Sequence, residues 1–376
     1  MISVKEGELL WTPSPERLSS ANLTAYLAWL EGKGRHFDSY KNLWEWSVND
    51  LEGFWGSIWE YFDVKTSKPY ERVLGRREMP GAQWFPGSML NYAEHALRHE
   101  RPGVDALVYL SERHALKTVS WTELGAKVRR LATNLREMGL QRGDRVVAYL
   151  PNTPEAAIAM LATTSLGAIW SSCGPDFGPR GVVDRFAQLE PKFMFCVDGY
   201  QYGGKIYDRR GELKTILSEL PTLEKVVFLR HIAPDDSTVP SPCAISWDEA
   251  LAGAEVPAAS FVYEQVPFAH PLWILFSSGT TGLPKAIIHC HGGMVVEQLK
   301  AITLQMDMHA RQRMFFYTTT GWMMWNFLVS ALLVDVVPVL YDGNPAYPEP
   351  DVLWRMADET GASYFGASPN LGCSCC

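Results

Sequence analysis

A long uninterrupted apolar run is missing from these 376 residues. The longest mostly apolar stretch, Phe327 to Leu340, is broken by Ser330, Asp335 and Pro338 and is too short to cross a bilayer. It suits a core helix followed by a strand. The opening Met1-Ile-Ser-Val-Lys-Glu-Gly-Glu8 lacks the apolar segment of a secretory signal. A basic excess is missing as well: 34 Lys and Arg stand against 42 Asp and Glu, a formal net charge of -8. Nothing is left over to meet a nucleic-acid backbone or an anionic membrane, so neither partner is expected. Cysteine is sparse. Cys173, Cys196, Cys243 and Cys290 stand singly, which suits reduced thiols and a cytoplasmic location.

Two clusters invite a metal assignment, and neither is expected to hold one. His289-Cys290-His291 would put two histidines on one face of a strand, but two ligands do not make a site. Cys373, Cys375 and Cys376 crowd the C-terminus without a fourth ligand or the spacing of a zinc knuckle.

What is present is an ordinary globular composition, 47% hydrophobic and 20% charged, in a chain long enough for two or three domains. Residues 1–80 are rich in aromatics. Phe54, Trp55, Ile58, Trp59 and Phe62 recur at helical spacing behind a capping Asn49 or Asp50, which predicts a helical cap with a docking or core face. Around Trp84 to Glu94 a turn leads into a helix. Residues 81–270 then alternate: strands at Ala106–Leu110, Thr118–Trp121, Arg145–Leu150, Phe193–Val197 and Lys225–Leu229, helices at Thr122–Gly139, Thr153–Leu166 and Gly211–Leu220. This alternation predicts an α/β fold, a sheet covered by helices on both faces. Residues 230–270 carry more Pro, Ser and Asp and are expected to form a connecting excursion; residues 271–376 begin a second α/β subdomain.

The most informative stretch is Leu272 to His289. Two short apolar runs flank Ser277, Ser278, Gly279, Thr280, Thr281, Gly282, Leu283, Pro284 and Lys285. Glycine lets backbone N–H groups approach an anion, the hydroxyls donate hydrogen bonds and the lysine supplies charge. A Walker-type loop would run from Gly-Lys-Ser/Thr into a helix. Here Ala286-Ile287-Ile288 follows instead, so the expectation is a phosphate-gripping loop between two strands.

These residues resemble the phosphate loop of the adenylate-forming superfamily, Ser/Thr-Ser-Gly-Ser/Thr-Thr-Gly-x-Pro-Lys, at every position from Ser277 to Lys285. The resemblance implies a layered α/β/α N-terminal domain and an acid–thiol ligase using ATP with Mg2+ and coenzyme A as co-substrate. It also implies that Ser277, Ser278, Gly279, Thr280, Thr281, Gly282 and Lys285 hold the ATP phosphates. The aromatic cap is similar to that of short-chain acyl-CoA synthetases. Thr318-Thr-Thr-Gly-Trp-Met-Met-Trp-Asn326, together with Leu10 to Arg17 and Asn22-Leu-Thr24, is similar to the acetoacetate-activating branch of that family. That likeness implies acetoacetate as the acid, with Trp322 and Met323 facing it, although Trp and Met are equally at home in a core. In Gly199 to Ile206, Lys205 stands where related enzymes place a coenzyme A contact, while Gln201 and Tyr202 replace an arginine.

The family's Tyr-Gly-x-Thr-Glu motif, ribose-binding aspartate, hinge and adenylating lysine do not occur in this sequence. No catalytic residue is therefore assigned, and the chain is expected to be an incomplete N-terminal portion without the small C-terminal domain, weakly active or inactive alone. Leu371 to Cys376 has neither strand nor helix period and reads as an out-of-frame or truncated ending. Two alternatives stand beside this reading: an acetyl- or propionyl-CoA synthetase, and a non-catalytic nucleotide-binding or interaction module.

Overall fold

A computed structural model of the chain describes residues 5–277 and 282–368. Four helices open it: Pro15–Ser20, Asn22–Gly32, Tyr40–Asn49 and Leu51–Tyr61. Asp50 caps the last of these by accepting the Gly53 N–H at 2.9 Å, and its other oxygen accepts the Trp46 indole N–H at 2.9 Å. Ile58 and Trp59 are buried, and Trp59 stacks on Phe85 with ring centroids 4.5 Å apart. The period-3.6 aromatic stripe is a packing face.

Two sheets follow. The larger has seven strands in the order Ala244–Ser246, Lys225–Leu229, Phe193–Val197, Arg145–Tyr149, Ile169–Cys173, Pro271–Ser277 and Lys285–Cys290. All neighbours are parallel except the last pair. Its inner strands Phe193–Val197 and Arg145–Tyr149 are buried because both faces are covered, whereas the edge strand Lys285–Cys290 is largely exposed. Val146, Phe193 and Phe195 join the core that contains Val128, Leu131 and Leu135 of helix Trp121–Glu137. Val147, Met194 and Cys196 join the core that contains Val182 and Phe186 of helix Pro179–Phe186 and Leu213 and Ile216 of helix Arg210–Ser218. The layered α/β expectation holds.

The smaller sheet runs Ala362–Gly366, Arg313–Phe316, Val337–Asp342, Asp105–Ser111 and Lys117–Ser120, parallel up to its last, antiparallel pair. The strands do not sort by residue 270, beyond which a second α/β subdomain was expected to begin. Strands Pro271–Ser277 and Lys285–Cys290 complete the larger sheet, while Asp105–Ser111 and Lys117–Ser120 pair with strands from beyond residue 300. Local periodicity reports which residues form a strand but carries nothing about its neighbour. The 230–270 segment also does more than connect. It supplies the edge strand Ala244–Ser246, and the helix Trp247–Ala250 opens with a Ser246/Glu249 capping box. Three residues are too few to show a strand period.

Strand Lys285–Cys290 ends before His291, which opens helix His291–Lys300. The two histidines therefore do not share a strand face. His289 Nδ1 accepts the Trp273 indole N–H at 2.9 Å, whereas His291 is fully buried and its Nδ1 accepts the Tyr92 N–H at 3.1 Å.

Candidate active site

The parallel strands of both sheets send their carboxyl ends to one region, where α/β sheets bind ligands. A cavity of about 310 Å3 opens there. Pro151 and Asn152 enter it from beyond strand Arg145–Tyr149, Pro175 and Asp176 from beyond Ile169–Cys173. The smaller sheet contributes Tyr317, Thr318 and Thr319 on one side and Tyr341 to Gly343 on another. Tyr200 and Tyr202 close it from a hairpin of strands Gly199–Tyr202 and Lys205–Asp208.

Short polar bonds weld the two sheets at this junction. Asn152, 3% exposed, donates its amide to the Tyr341 carbonyl at 3.2 Å and accepts the Trp325 indole N–H at 2.9 Å. Thr320 Oγ1 donates to the Leu150 carbonyl, and Ser172 Oγ donates to the Thr320 carbonyl, both at 2.7 Å. Buried polar groups of this kind need partners, so each bond also fixes position. Burial pushes the phenols of Tyr317 and Tyr341 up, keeping both protonated as donors; they bond the Gly343 and Asn344 carbonyls. Burial likewise raises the Asp176 carboxyl, with Arg209 opposing the shift and Asp342 adding to it. Arg209 braces this wall from behind, donating to the Pro175 carbonyl at 2.9 Å and to the Tyr200 hydroxyl at 3.2 Å.

The strands that flank the loop expected to grip phosphate belong to the edge of the larger sheet. Ser277 pairs with Lys285 at the end of an antiparallel ladder, so the connection is the tip of a two-stranded unit, as the flanking apolar runs predicted. Gly282 has φ 104°, a conformation that favours glycine. The Pro284 carbonyl accepts from Gln188 at 3.0 Å, and Lys285 is exposed. Ser278, Gly279, Thr280 and Thr281 lie outside the described residues.

The other expected site residues fall differently. From the Thr318–Asn326 stretch, Thr318 and Thr319 line the cavity, but Trp322 and Met323 are 58% and 46% exposed and lie outside its walls. The reason is local: helix Met323–Val329 starts at this point, and its buried face takes Trp325, Asn326, Leu328 and Val329 instead. Lys205 is exposed and makes no ion pair among the described residues. The adjacent Gly203 and Gly204 N–H groups are already occupied by the Glu112 carboxylate, at 2.7 and 2.8 Å. Asn152, Asp176, Arg209 and Glu112 escaped sequence reasoning. For Asn152 a signal was available, since it follows closely on the apolar strand Arg145–Tyr149; strand Ile169–Cys173, with Ser171 and Ser172, gave none for Asp176.

A cavity at the carboxyl edge of a helix-covered parallel sheet, beside the strand pair Pro271–Ser277 and Lys285–Cys290, is an α/β arrangement of the kind that binds ligands at its strand ends. The AMP-binding enzyme family matches residues 93–372, and the chain belongs to it. The acetyl-coenzyme A synthetase N-terminus family matches residues 40–96. The chain is similar to the acetoacetyl-CoA synthetase of Rattus norvegicus, 40% identical over 381 residues covering 96% of this chain and 55% of that protein. It is 39% identical over 363 residues to the acetoacetyl-coenzyme A synthetase of Rhizobium meliloti (strain 1021), with the same coverage. Among solved structures, acetoacetyl-CoA synthetase from Streptomyces lividans matches with a TM-score of 0.93 and 48% identity, over 98% of this chain and 56% of that one. The chain thus spans about half the length of the relatives it matches.

Proposed function

We propose that this chain forms the ATP- and acid-binding part of an AMP-forming acetoacetate–CoA ligase. The observation that carries the reading is the 48% identity and 0.93 TM-score to the Streptomyces lividans acetoacetyl-CoA synthetase over 98% of the chain. In the first step the acetoacetate carboxylate attacks the α-phosphorus of ATP, giving acetoacetyl-AMP and pyrophosphate. In the second the coenzyme A thiol attacks the acyl carbonyl, giving acetoacetyl-CoA, AMP and a proton.

Ser277, Gly282 and Lys285, with Ser278, Gly279, Thr280 and Thr281, would hold the β- and γ-phosphates as charge builds on the departing pyrophosphate. A fixed array of donors stabilises that charge without reorganising at the moment of reaction. Among the described residues no three His, Cys, Asp or Glu side chains gather as a metal cage, so magnesium would arrive on the nucleotide's phosphates. Trp322 and Met323 would meet the acid only if it enters from the loop side of the helix start. Lys205 would meet a coenzyme A phosphate as a free surface charge.

Isothermal titration of the purified chain with Mg–ATP tests the reading without requiring turnover. Binding is expected, and Lys285→Ala should weaken it about 10- to 100-fold, the worth of one charge-assisted hydrogen bond. An unchanged affinity in that variant would remove Lys285 from the site. The match of residues 40–96 to the acetyl-coenzyme A synthetase N-terminus supports a second reading, in which the acid is acetate. Sulfamoyl-adenosine mimics of the two acyl-adenylates separate them: tighter binding of the acetyl mimic would overturn the acetoacetate assignment.

A further inference from the structure

Glu112 stands just past strand Asp105–Ser111, on no motif that the proposed ligase reading uses. Its Oε1 accepts the Gly203 N–H at 2.7 Å and the Asn344 N–H at 2.8 Å; its Oε2 accepts the Gly204 N–H at 2.8 Å and lies 3.4 Å from the Gln201 amide. Gly203 and Gly204 form the two-residue turn of the 199–208 hairpin, with φ 61° and 76°. Both positive angles belong to the mirror-image turn that suits a tight hairpin and that glycine adopts without strain. The surroundings also require glycine. A Cβ on Gly204 would come 2.5 Å from the Tyr347 hydroxyl, and one on Gly343 would come 2.8 Å from Glu112 Cγ.

The groups held by this carboxylate belong to two different segments that line the cavity. The hairpin carries Tyr200 and Tyr202, and the 341–344 segment carries Tyr341 and Asp342. No other side chain among the described residues receives main-chain N–H bonds from both segments. The carboxylate geometry explains why one residue can do this: two oxygens with about four lone-pair directions can serve several N–H groups at once. An amide of the same shape cannot serve all three main-chain N–H groups, because its NH2 end is a donor and leaves at least one of them facing another donor.

We propose that Glu112 is a positioning residue, a latch that ties the hairpin to the strand end and so fixes the width of the cavity. The latch itself stands on geometry alone; its effect on coenzyme A affinity rests on the ligase reading. Hydrogen–deuterium exchange over peptides covering 199–208 and 343–350 tests it in the wild type and in Glu112→Gln, Glu112→Asp and Glu112→Ala. Glu112→Gln is nearly isosteric, so a role in space-filling alone would leave it like wild type. The latch requires exchange in both segments to rise about ten-fold or more in the Gln and Ala variants, the loss of at least one charge-assisted bond. Peptides covering strand Phe193–Val197 should stay unchanged, and the Asp variant, which keeps the carboxylate, should recover part of the protection. Exchange in Glu112→Gln within two-fold of wild type would overturn the latch. Should Glu112→Ala fail to fold, the Gln and Asp variants still decide. Titration with coenzyme A supplies a separate arm, with about ten-fold weaker binding expected in Glu112→Gln. A wild-type chain that binds neither coenzyme A nor ATP would count against the ligase reading, while the exchange result alone settles Glu112.

Discussion

Gly125 lies inside helix Trp121–Glu137, where helix propensity favours alanine over glycine by about 1 kcal/mol. The structure reverses that sign. A Cβ at this position would overlap Glu100 Oε2 and lie 2.7 Å from Arg129 Nη1. These two side chains form a bidentate ion pair, Nη1 to Oε2 at 2.5 Å and Nη2 to Oε1 at 3.0 Å, with side chains 3% exposed at Arg129 and 18% at Glu100. The Arg129 Nε also donates to the Val256 carbonyl at 2.8 Å, which pins the guanidinium in place. The added methyl therefore drives Glu100 outward and leaves a buried cation without its partner. Breaking one side of a buried pair costs about 3–5 kcal/mol, so Gly125→Ala should lose about 2–4 kcal/mol net. Urea unfolding followed by tryptophan fluorescence measures it, provided the slope of the transition is unchanged. Glu100→Ala alone should lose about 3–5 kcal/mol. In the Glu100→Ala background the closest clash is gone and only Arg129 Nη1 remains near the added Cβ, so Gly125→Ala should lose less than it does in the wild type. A Gly125→Ala single variant as stable as wild type, or an equal loss in both backgrounds, would refute the reasoning.

Acid should destabilise the fold through its buried histidines. Burial holds His95 down at about 4, with its bond to the Lys65 carbonyl opposing, and burial holds His291 well below its ordinary value. In the unfolded chain both take up a proton near pH 6.5, and the folded state does not follow until far lower. Stability is thus complete above pH 6.5 and falls between 6.5 and 4, by on the order of 3 kcal/mol for His95 alone. Urea midpoints measured from pH 7.5 to 4.5 should fall in this window, and less steeply in His95→Gln; a flat profile would contradict the assignment. Asp198, 1% exposed, accepts the N–H groups of His231, Ile232 and Ala233 at 2.7 to 3.2 Å. Asp198→Ala leaves those donors unmet and should lose about 2–4 kcal/mol, with faster amide exchange at 231–233 as the local signature. Unaltered exchange there would show that water replaces the carboxylate at no cost.

Much of the local structure was legible because it depends on neighbours in the chain. The runs Phe193–Val197 and Lys225–Leu229 are strands with the bounds their apolar residues implied, since a strand buried on both faces must be apolar throughout. The β-branched and apolar runs around Ser277 to Lys285 placed that loop between paired strands, although strand Lys285–Cys290 is largely exposed. The identity of the loop's hydroxyls, glycines and lysine, all local in sequence, was enough to point to phosphate.

The cavity was not legible in this way. Asn152 meets Tyr341 across 189 residues, Ser172 meets Thr320 across 148, and Glu112 meets Asn344 across 232. Nothing in the residues adjacent to Glu112 marks it as an acceptor for a distant glycine turn. Its partners are main-chain N–H groups, which leave no trace in side-chain identity. Trp322 and Met323 were expected at the pocket from the resemblance of their stretch, whereas the helix that starts at Met323 leaves both largely exposed. The sequence by itself determined which long, strongly patterned segments become strands and helices, such as Phe193–Val197 and Lys225–Leu229, because that follows from contiguous residue types. Only the tertiary structure decided which strands share a sheet and which side chains close the cavity, because those contacts join residues that the chain keeps far apart.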